Sequence, residues 1–311
     1  MKTVIKVVGL GGAGCNTVDR MVQCKVKGIE LIAGNTDVQD LKKIRADVKI
    51  QLGKESTRGL GAGMNPEVGK KAAQESAEDL RKALAGADMI FLAAGLGGGT
   101  GGGAIPVVAE IAKSLNALCV AVVTTPFSFE GAWRARNAAH ALEELRHKVD
   151  TLLVIPNDKV VELAAEETSL LDAFWKADEV LRQAVQGISD LIVKPGIINV
   201  DFADVKSVML HGSQAVFGQG VSKGEKRIAN ALEEALHSPL LTLSIEGAKG
   251  LLINISGSKD LRLSEVEEAS SIVRRKVSGE AKIIVGAMYD TSLKAGEIRV
   301  TVLATGLKSQ E

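Results

Sequence analysis

The stretch Gly95-Leu96-Gly97-Gly98-Gly99-Thr100-Gly101-Gly102-Gly103 is the most informative part of this sequence. It follows an apolar, strand-like run at residues 89–92 and precedes a helical pattern at residues 104–115. Glycine at this density costs chain entropy on folding, so such a loop needs a reason beyond connection. Consecutive backbone amides without Cβ atoms can turn toward one anion and form a concave nest. The stretch therefore predicts a phosphate-binding loop between a strand and a helix.

A second glycine loop, Gly9-Leu10-Gly11-Gly12-Ala13-Gly14, follows the first strand-like run, at residues 4–8. It opens a predicted helix, whose N-terminal N–H groups favour an anion. Alone, this loop fits the dinucleotide pattern GxGxxG, and Asp37 follows at the distance of ~20 residues that is expected of an acid on a ribose. A nicotinamide-dependent oxidoreductase and a tight turn without a ligand therefore stay open as alternatives. Two such loops at one sheet edge favour a polyphosphate, and the sequence lacks the GxxxxGK[ST] of P-loop NTPases.

Short β-branched runs alternate with amphipathic helical stretches in the first half of the chain, which predicts an α/β fold with a parallel sheet. One long helical pattern then runs from residue 170 to 192 and ends at Lys194-Pro195-Gly196. We expect a nucleotide-binding domain at residues 1–169, a connecting helix at 170–194 and a smaller α/β domain at 195–311. The predicted strands are residues 4–8, 31–33, 89–92, 119–123, 152–155, 205–210, 251–256, 282–288 and 297–304, and the predicted helices are residues 16–22, 66–84, 104–115, 133–146, 170–192, 224–236 and 264–277.

Composition argues against several classes of partner. Lys plus Arg equals Asp plus Glu at 38 each, and aromatic residues make up 3% of the chain. Neither long-range charge nor aromatic stacking therefore favours nucleic acid or an acidic membrane. The three cysteines lack the spacing of a disulfide framework or zinc site, and no apolar run reaches the ~20 residues that span a bilayer. We expect a cytoplasmic protein that binds no nucleic acid and is not inserted in a membrane.

Residues 97–103 resemble the signature GGGTG[ST]G of the tubulin/FtsZ superfamily, with one departure at Gly102. The resemblance extends over nearly the whole chain and is closer to the FtsZ branch than to eukaryotic tubulin. It implies a Rossmann-like GTPase domain, a long central helix and a smaller α/β domain, in a GTP-hydrolysing protein that polymerises head-to-tail and serves cell division. GTP and GDP would be the nucleotides, and Mg²⁺ would bind mainly through phosphates. Further segments that carry the resemblance are Asn35-Thr36-Asp37, Thr57-Arg58-Gly59-Leu60-Gly61-Ala62-Gly63, Pro126-Phe127-Ser128-Phe129-Glu130-Gly131, Ile155-Pro156-Asn157-Asp158 and Asn199-Val200-Asp201-Phe202-Ala203-Asp204.

The same resemblance implies a role for each matching position. Glu130 would accept from ribose hydroxyls, with Arg134 beside it one helical turn later. Phe174 would contact the base, and Asp178 would accept from the guanine N1 and N2 hydrogens. Such an acceptor selects guanine because adenine offers no matching pair of donors. The first loop would bind phosphate through Gly11, Gly12, Ala13 and Gly14, with Asn16 near the guanine; the second would cradle the α- and β-phosphates through Gly97, Gly98, Gly99, Thr100 and Gly101; and Asn35, Ala62 and Gly63 would line the γ-phosphate side.

Asp201 and Asp204 follow the long helix, in a segment that resembles the loop with which FtsZ completes the active site of the next subunit. A helix of ~23 residues is ~34 Å long, so these carboxylates cannot easily reach a nucleotide that is contacted near the helix start. We expect them to position and polarise a water on an adjacent copy's GTP. A head-to-tail contact that does not close builds an open filament, so hydrolysis should depend on assembly. Without the resemblance, the pair would be interpreted as a solvated acidic turn.

Two features favour a variant of this function. Gly102 occupies a position where the superfamily usually carries Ser or Thr, whose hydroxyl can reach a phosphate; a lost bond to a charged oxygen costs roughly 1.5–3 kcal/mol. A filament-forming paralogue with weak or absent GTPase activity is therefore an alternative. The printed chain also ends at Gly306-Leu307-Lys308-Ser309-Gln310-Glu311, without the linker and terminal peptide that bind membrane-tethering partners in FtsZ. If the chain is complete, we expect no binding to the membrane-tethering partners through a terminal peptide. Binding to other division proteins and location at the division site are still expected.

Overall fold

The computed structural model describes residues 3–162, 169–210, 213–238, 243–277 and 279–307. The chain divides into two compact units, Met1–Gln186 and Gly187–Glu311. The division falls inside one helix, Leu170–Val193. The expectation about the end of the chain concerns residues 306–311, of which 308–311 lie outside the described residues.

The first unit is built on a parallel sheet with the strand order β3-β2-β1-β4-β5-β6. Neighbouring strands pair in parallel, so their carboxyl ends lie at one edge of the sheet. Every residue of the first strand is buried, as expected for a sheet covered by helices on both faces. The strands are β1 (Ile5–Leu10), β2 (Ile29–Asn35), β3 (Val48–Gln51), β4 (Met89–Gly95), β5 (Leu118–Thr125) and β6 (Thr151–Pro156).

Helices follow the strands of this unit in the order that the alternating pattern predicts. Their apolar faces join one core with the sheet, in which Val8, Leu92 and Ile105 are fully buried. The helices are α1 (Gly11–Gln23), α2 (Val38–Lys43), α3 (Pro66–Glu75), α4 (Ala77–Leu84), α5 (Gly99–Ser114), α6 (Ala132–Arg146), α7 (Asn157–Glu162) and α8 (Leu170–Val193), the last of which also enters the second unit.

Helices α3 and α5 approach each other backbone to backbone. A Cβ placed on Gly69 would lie 2.1 Å from the carbonyl oxygen of Gly99, and one on Gly103 would lie 2.0 Å from that of Pro66. Any side chain at these two glycines would therefore force the helices apart. The contact fixes the start of α3 against the first turns of α5.

The second unit is a smaller α/β body with the strand order β7-β10-β8-β9. Strand β10 is antiparallel to both of its neighbours, and β8 is parallel to β9. The buried Arg227 joins two of its helices, because Nε lies 2.6 Å from Glu265 Oε1. The strands are β7 (Ser213–Lys223), β8 (Gly250–Gly257), β9 (Lys282–Tyr289) and β10 (Glu297–Thr305), and the helices are α9 (Phe202–Met209), α10 (Arg227–Leu236) and α11 (Leu263–Lys276).

The predicted fold class is confirmed, but the strand predicted at residues 205–210 is wrong. The segment is helix α9, capped by Asp201, whose Oδ1 accepts from the Asp204 amide at 2.7 Å. The buried residues Val205, Val208 and Met209 recur at helical spacing, and this outweighs the strand preference of valine. The helix predicted at residues 66–84 is also divided, because the chain bends at Ser76, whose Oγ accepts from the Gly53 amide at 3.0 Å.

Candidate functional site

A pocket of about 290 Å³ lies at the carboxyl ends of β1, β4, β5 and β6. These strands are parallel neighbours, so the loops that follow them converge at one sheet edge, where ligands bind in folds of this class. Helix α1 begins at Gly11 directly after β1, and α5 begins at Gly99 soon after β4. The lining residues are Gly11, Gly12, Ala13, Gly95, Leu96, Gly98, Gly99, Thr100, Gly101, Thr124, Pro126, Glu130, Arg134, Asn157, Phe174, Ala177 and Asp178.

Two helix N-termini meet in this lining. In the described part of the chain, neither N-cap residue, Leu10 or Gly98, caps its helix with a side-chain hydrogen bond. The amides of the first turns therefore have no side-chain acceptor at the cap, and both helices add the positive end of their dipole. With 13 and 16 residues, α1 and α5 are long enough for this effect to be substantial. This end of the pocket suits phosphate groups.

The glycines of the two loops serve different purposes. A Cβ on Gly14 would lie 2.2 Å from the Ala93 carbonyl oxygen, and one on Gly101 would lie 2.5 Å from that of Gly95, so packing requires these two glycines. A Cβ on Gly12 or Gly98 would meet no atom of the described residues within 4 Å, and neither residue has a left-handed φ. Packing thus does not explain Gly12 and Gly98, which both line the pocket. Their missing side chains leave room for a ligand.

A buried carboxylate, that of Asp178, marks the other end of the pocket. Arg20 Nη2 lies 3.7 Å from its Oδ2, and Asn16 Nδ2 donates to the same oxygen at 3.4 Å. Burial raises the pKa of Asp178 to about 6, against the opposing effects of Arg20 and Asn16. A carboxylate that is desolvated and held only by long contacts suits N–H donors from a ligand.

The wall beside this carboxylate is aromatic. Phe174 is 39% exposed and lines the pocket, and the edge-on ring of Phe127 lies 5.1 Å from it between centroids. Phe127 itself is buried. The Phe174 ring is therefore held by packing while part of its surface stays open to a planar ligand.

Between the two ends, Glu130 and Arg134 form an ion pair one helical turn apart. Glu130 Oε1 also accepts from the Phe127 amide at 2.9 Å, which fixes the direction of the carboxylate. A carboxylate has about four acceptor positions, so Glu130 can still accept hydrogen bonds from hydroxyl groups.

Some of the predicted site residues lie outside the lining of this pocket. Asn16 is connected to the pocket by its hydrogen bond to the lining residue Asp178. Gly14 and Gly97 are required by packing, and a Cβ on Gly97 would lie 2.9 Å from the Arg134 carbonyl oxygen. Asn35 is 3% exposed, and its Oδ1 accepts from the Asp37 amide at 3.3 Å. Outside the lining, among described residues, are Gly14, Asn16, Asn35, Ala62, Gly63 and Gly97.

Asn157 is a lining residue to which the sequence interpretation gave no role. Its side chain is buried, and its Oδ1 has no hydrogen-bond partner among the described residues. A buried acceptor without a partner is costly, so a donor from a ligand would stabilise this position. The signal was present in the sequence, because Asn157 directly follows β6 at the same sheet edge as the glycine loops. The other lining residues without a predicted role are Gly95, Leu96, Thr124, Pro126 and Ala177.

A larger groove, of about 630 Å³, lies in the first unit beside β3 and α4. Charged side chains of its lining already pair with each other: Lys6 Nζ lies 2.8 Å from Glu30 Oε2, and Lys54 Nζ lies 3.8 Å from Asp79 Oδ2. Lys6 also donates to the Ala83 carbonyl oxygen at 2.7 Å. We therefore place the candidate site in the smaller pocket, where polar groups remain available.

The predicted catalytic residues, Asp201 and Asp204, belong to the second unit. Asp201 is the N-cap of α9, and Asp204 lies in its first turn, half exposed, with Lys282 Nζ at 3.9 Å from Oδ1. The segment before them is anchored to β9, because the Ile197 amide donates to the Ala287 carbonyl oxygen at 2.7 Å. Both carboxylates therefore stand on a well-supported element.

Residues 4–165 match the model of the Tubulin/FtsZ family, GTPase domain, and residues 213–308 match that of the FtsZ family, C-terminal domain. The chain belongs to the tubulin/FtsZ family. It is 53% identical over 305 residues to Cell division protein FtsZ 1 of Thermococcus kodakarensis, and the aligned residues make up 98% of this chain and 81% of that relative. The structure described as "FtsZ dimer, empty" from M. jannaschii matches with a TM-score of 0.96 and 49% identity, covering 100% of this chain and 90% of that chain. CetZ2 from Haloferax volcanii, as a GTPγS-bound protofilament, shares the fold, with a TM-score of 0.81 and 23% identity over 100% of this chain and 95% of that chain.

Membership of the tubulin/FtsZ family confirms the predicted fold and the predicted GTPase activity, with GTP and GDP as nucleotides. It favours this activity over the nicotinamide-dependent alternative, which the first glycine loop alone had left open. In the part of the chain that the structure describes, no helix is both long and apolar enough to cross a membrane.

Proposed function

We propose that this chain binds GTP in the pocket at the carboxyl ends of the strands, and that it hydrolyses GTP only when a second copy supplies Asp201 and Asp204. The observation that carries the nucleotide part is the pairing of two uncapped, glycine-rich helix starts with the buried carboxylate of Asp178 in one pocket. The first feature suits phosphates and the second suits the donor edge of guanine. A nucleoside polyphosphate requires both.

The residues present fit GTP as substrate from end to end. Asp178 would accept from guanine N1 and N2, with Phe174 against the base and Asn157 offering its unpaired acceptor. Glu130 would accept from the ribose, and the amides at Gly11, Gly12 and Gly98 to Gly101 would hold the α- and β-phosphates. Asn35, Ala62 and Gly63 stand outside the lining, and we propose that they face the γ-phosphate at the mouth of the pocket.

We further propose that Mg²⁺ binds mainly to phosphate oxygens of the nucleotide. Among the described residues, no group of three or more His, Cys, Asp or Glu side chains could hold a metal ion by itself. When bound, Mg²⁺ would offset phosphate charge during transfer of the γ-phosphoryl group. The chain's own part is to orient the phosphates with backbone amides.

Hydrolysis is proposed to need two copies because Phe174 and Asp178 line the pocket near the start of α8, whereas Asp201 and Asp204 follow its end, and a helix of this length spans more than ~30 Å. Head-to-tail contact would bring Asp201 and Asp204 of one copy to the γ-phosphate of the next, where they would position and polarise the attacking water. Repetition of that contact without closure gives a filament. The relative from Thermococcus kodakarensis is named a cell division protein, which supports a role in division. We extend the proposal to action in the cytoplasm, at the division site and with other division proteins.

We propose the same three segments that the sequence predicts: residues 1–169 bind GTP, residues 170–194 connect the two domains, and residues 195–311 serve assembly and GTPase activation.

The test is GTP turnover per molecule, with Mg²⁺ present, as a function of protein concentration. We expect a threshold concentration followed by rising specific activity, because the catalytic site assembles only between copies. Constant activity per molecule at all concentrations would contradict the two-copy mechanism. Sedimentation of the same samples should show polymer at the same threshold.

A second candidate is a filament-forming relative with weak hydrolysis, which Gly102 motivates. The structure places this residue inside α5, outside the pocket lining; a Cβ here would lie 3.5 Å from the Ala141 Cβ. A serine therefore fits without strain, between Ala141 of α6 and the Gly97 amide nitrogen, which lies 4.0 Å from the added Cβ.

We expect Gly102→Ser to change GTP affinity and turnover by less than about threefold, below the tenfold that corresponds to ~1.4 kcal/mol. Equilibrium binding of GTP and steady-state turnover of the purified variant would measure this. A gain of tenfold or more in either quantity would show instead that the missing hydroxyl limits activity and would favour the weak-GTPase candidate.

A further inference from the structure

Arg20 stands behind the guanine end of the pocket without lining it. Its Nη2 lies 3.7 Å from Asp178 Oδ2, and its guanidinium carbon lies 4.7 Å from the centroid of the Trp175 ring. Arg20 is on α1, whereas Asp178 and Trp175 are one turn or less apart on α8. The cation is thus enclosed between a carboxylate and an aromatic ring of the same helix.

The guanidinium of Arg20 is not fully satisfied by these contacts. Its Nε is buried and has no hydrogen-bond partner among the described residues. Burying part of a cation with an unused donor is unfavourable, so packing alone would not select arginine at this position. Nor does Arg20 touch the pocket, so a direct contact with the nucleotide does not explain it. What remains is its charge beside Asp178.

We propose that Arg20, held against the indole of Trp175, is a positioning residue that keeps the Asp178 carboxylate charged and oriented for guanine, and so sets the affinity for GTP. This inference rests on the proposed function, since it assumes that Asp178 receives the guanine donors. Trp175 acts on Asp178 only indirectly, because its ring fixes the plane of the Arg20 guanidinium.

The charge of Asp178 matters because only the ionised form accepts from both guanine donors. Burial raises the pKa of Asp178 to about 6, and Arg20 opposes that rise. Guanine donors stabilise the ionised carboxylate. GTP binding should therefore weaken as the pH falls through the pKa that Asp178 has in the nucleotide-free protein. Loss of a neighbouring arginine raises a carboxyl pKa by about 1–3 units, which would move this weakening into the neutral range.

Other charged groups near Asp178 should not reproduce this behaviour. Glu179 is next to it on α8; burial alone would raise its pKa, but hydrogen bonds from Arg182 and Gln183 hold that pKa below the ordinary value, and Arg20 makes only the smallest contribution to this lowering. Glu130 and Arg134 face the same pocket as a pair. We therefore assign the pH dependence near neutrality to Asp178 under the control of Arg20.

The experiment compares the affinity of the full-length chain for GTP between about pH 5.5 and 8.5, a range that brackets the relevant carboxyl titration. We expect Arg20→Gln to bind GTP about tenfold more weakly than the unmodified protein at pH 7, and to recover most of the difference at the upper end of this range. Titration of GTP itself is common to all samples and cancels in the ratio. Arg20→Lys should recover much of the normal profile because the charge is kept, and Trp175→Leu should shift it slightly in the same direction as Arg20→Gln.

Two further variants serve as controls. Arg45→Gln removes the same charge from a pair with Asp19, 3.1 Å away on α1, and should leave the profile unchanged. Asp178→Asn removes the titrating group, so Arg20→Gln should add no pH dependence in that background.

An equal loss of affinity at every pH in Arg20→Gln, or an unchanged profile, would overturn this inference while leaving the proposed function intact. Failure of the unmodified protein to bind GTP at any pH would overturn the proposed function and this inference with it.

Discussion

Replacement of Asp204 by asparagine is expected to lower GTP turnover at least about 100-fold while leaving GTP binding by the same chain unchanged. The residue is half exposed in the first turn of α9 and far in sequence from the pocket lining, so its loss should not disturb nucleotide contacts within its own copy. The reason for the lost turnover is that the γ-phosphate of the next copy would no longer meet a charged acceptor that orients water. Steady-state phosphate release and equilibrium GTP binding would separate the two effects.

Asp201→Asn sharpens this test, because Asp201 also caps α9 through its contact with the Asp204 amide. Asparagine caps helices about as well as aspartate, so this variant removes the charge and keeps the cap. A similar loss of turnover with unchanged thermal stability would assign the effect to chemistry. Glu268→Gln, which removes one exposed negative charge from α11 in the same unit, is the matched control and should retain full turnover. Normal turnover in Asp204→Asn would exclude a catalytic role for this residue.

Gly12→Val and Gly98→Val are expected to weaken GTP binding about 100-fold without lowering the melting temperature of the nucleotide-free protein. Neither position has a described atom within 4 Å of the added Cβ, so the fold can accept the side chain. The valine would instead occupy space that the phosphates need. Loss of two hydrogen bonds to charged oxygens, each worth about 1.5 kcal/mol, accounts for a change of this size.

Gly279→Val provides the comparison for these two variants, since it also adds a side chain in open space at an ordinary φ, but in the second unit. It should bind GTP normally. Wild-type affinity in Gly12→Val and Gly98→Val would show that the phosphates do not approach these amides.

The two kinds of variant also test each other. Gly12→Val cannot use its own pocket but retains both aspartates, whereas Asp204→Asn retains the pocket. If catalysis occurs between copies, a mixture of these two inactive variants should recover measurable turnover. A mixture as inactive as its components would argue that each chain hydrolyses its own nucleotide.

Much of the fold could be predicted because apolar strands and glycine loops alternate clearly in the first unit. The starts of α1 and α5 could not, since glycine has low helix propensity, yet both helices begin within the glycine loops, at Gly11 and Gly99. Position at the sheet edge overrides propensity at these helix starts. The same loops hid the distinction between glycines needed for packing, such as Gly14, and those that leave room for a ligand, such as Gly12.

In the candidate site, the roles of single residues were easier to predict than the contacts that their side chains make. The roles of Asp178, Glu130 and Phe174 followed from the family resemblance, and all three line the pocket. The position of Asn157 at the sheet edge could be predicted, but its unpaired Oδ1, like the unpaired Nε of Arg20, depends on three-dimensional packing. No spacing rule in a single sequence reports that an acceptor lacks a donor.

The direct backbone contact between α3 and α5 has a mechanical consequence. Side chains between helices normally absorb small displacements by changing rotamer, but Gly69 and Gly103 leave nothing between these two helices that could do so. Because the two backbones touch, a displacement of Asn65, the N-cap of α3, would displace the first turn of α5 with it. The glycine loop at the start of α5 would therefore move together with the start of α3.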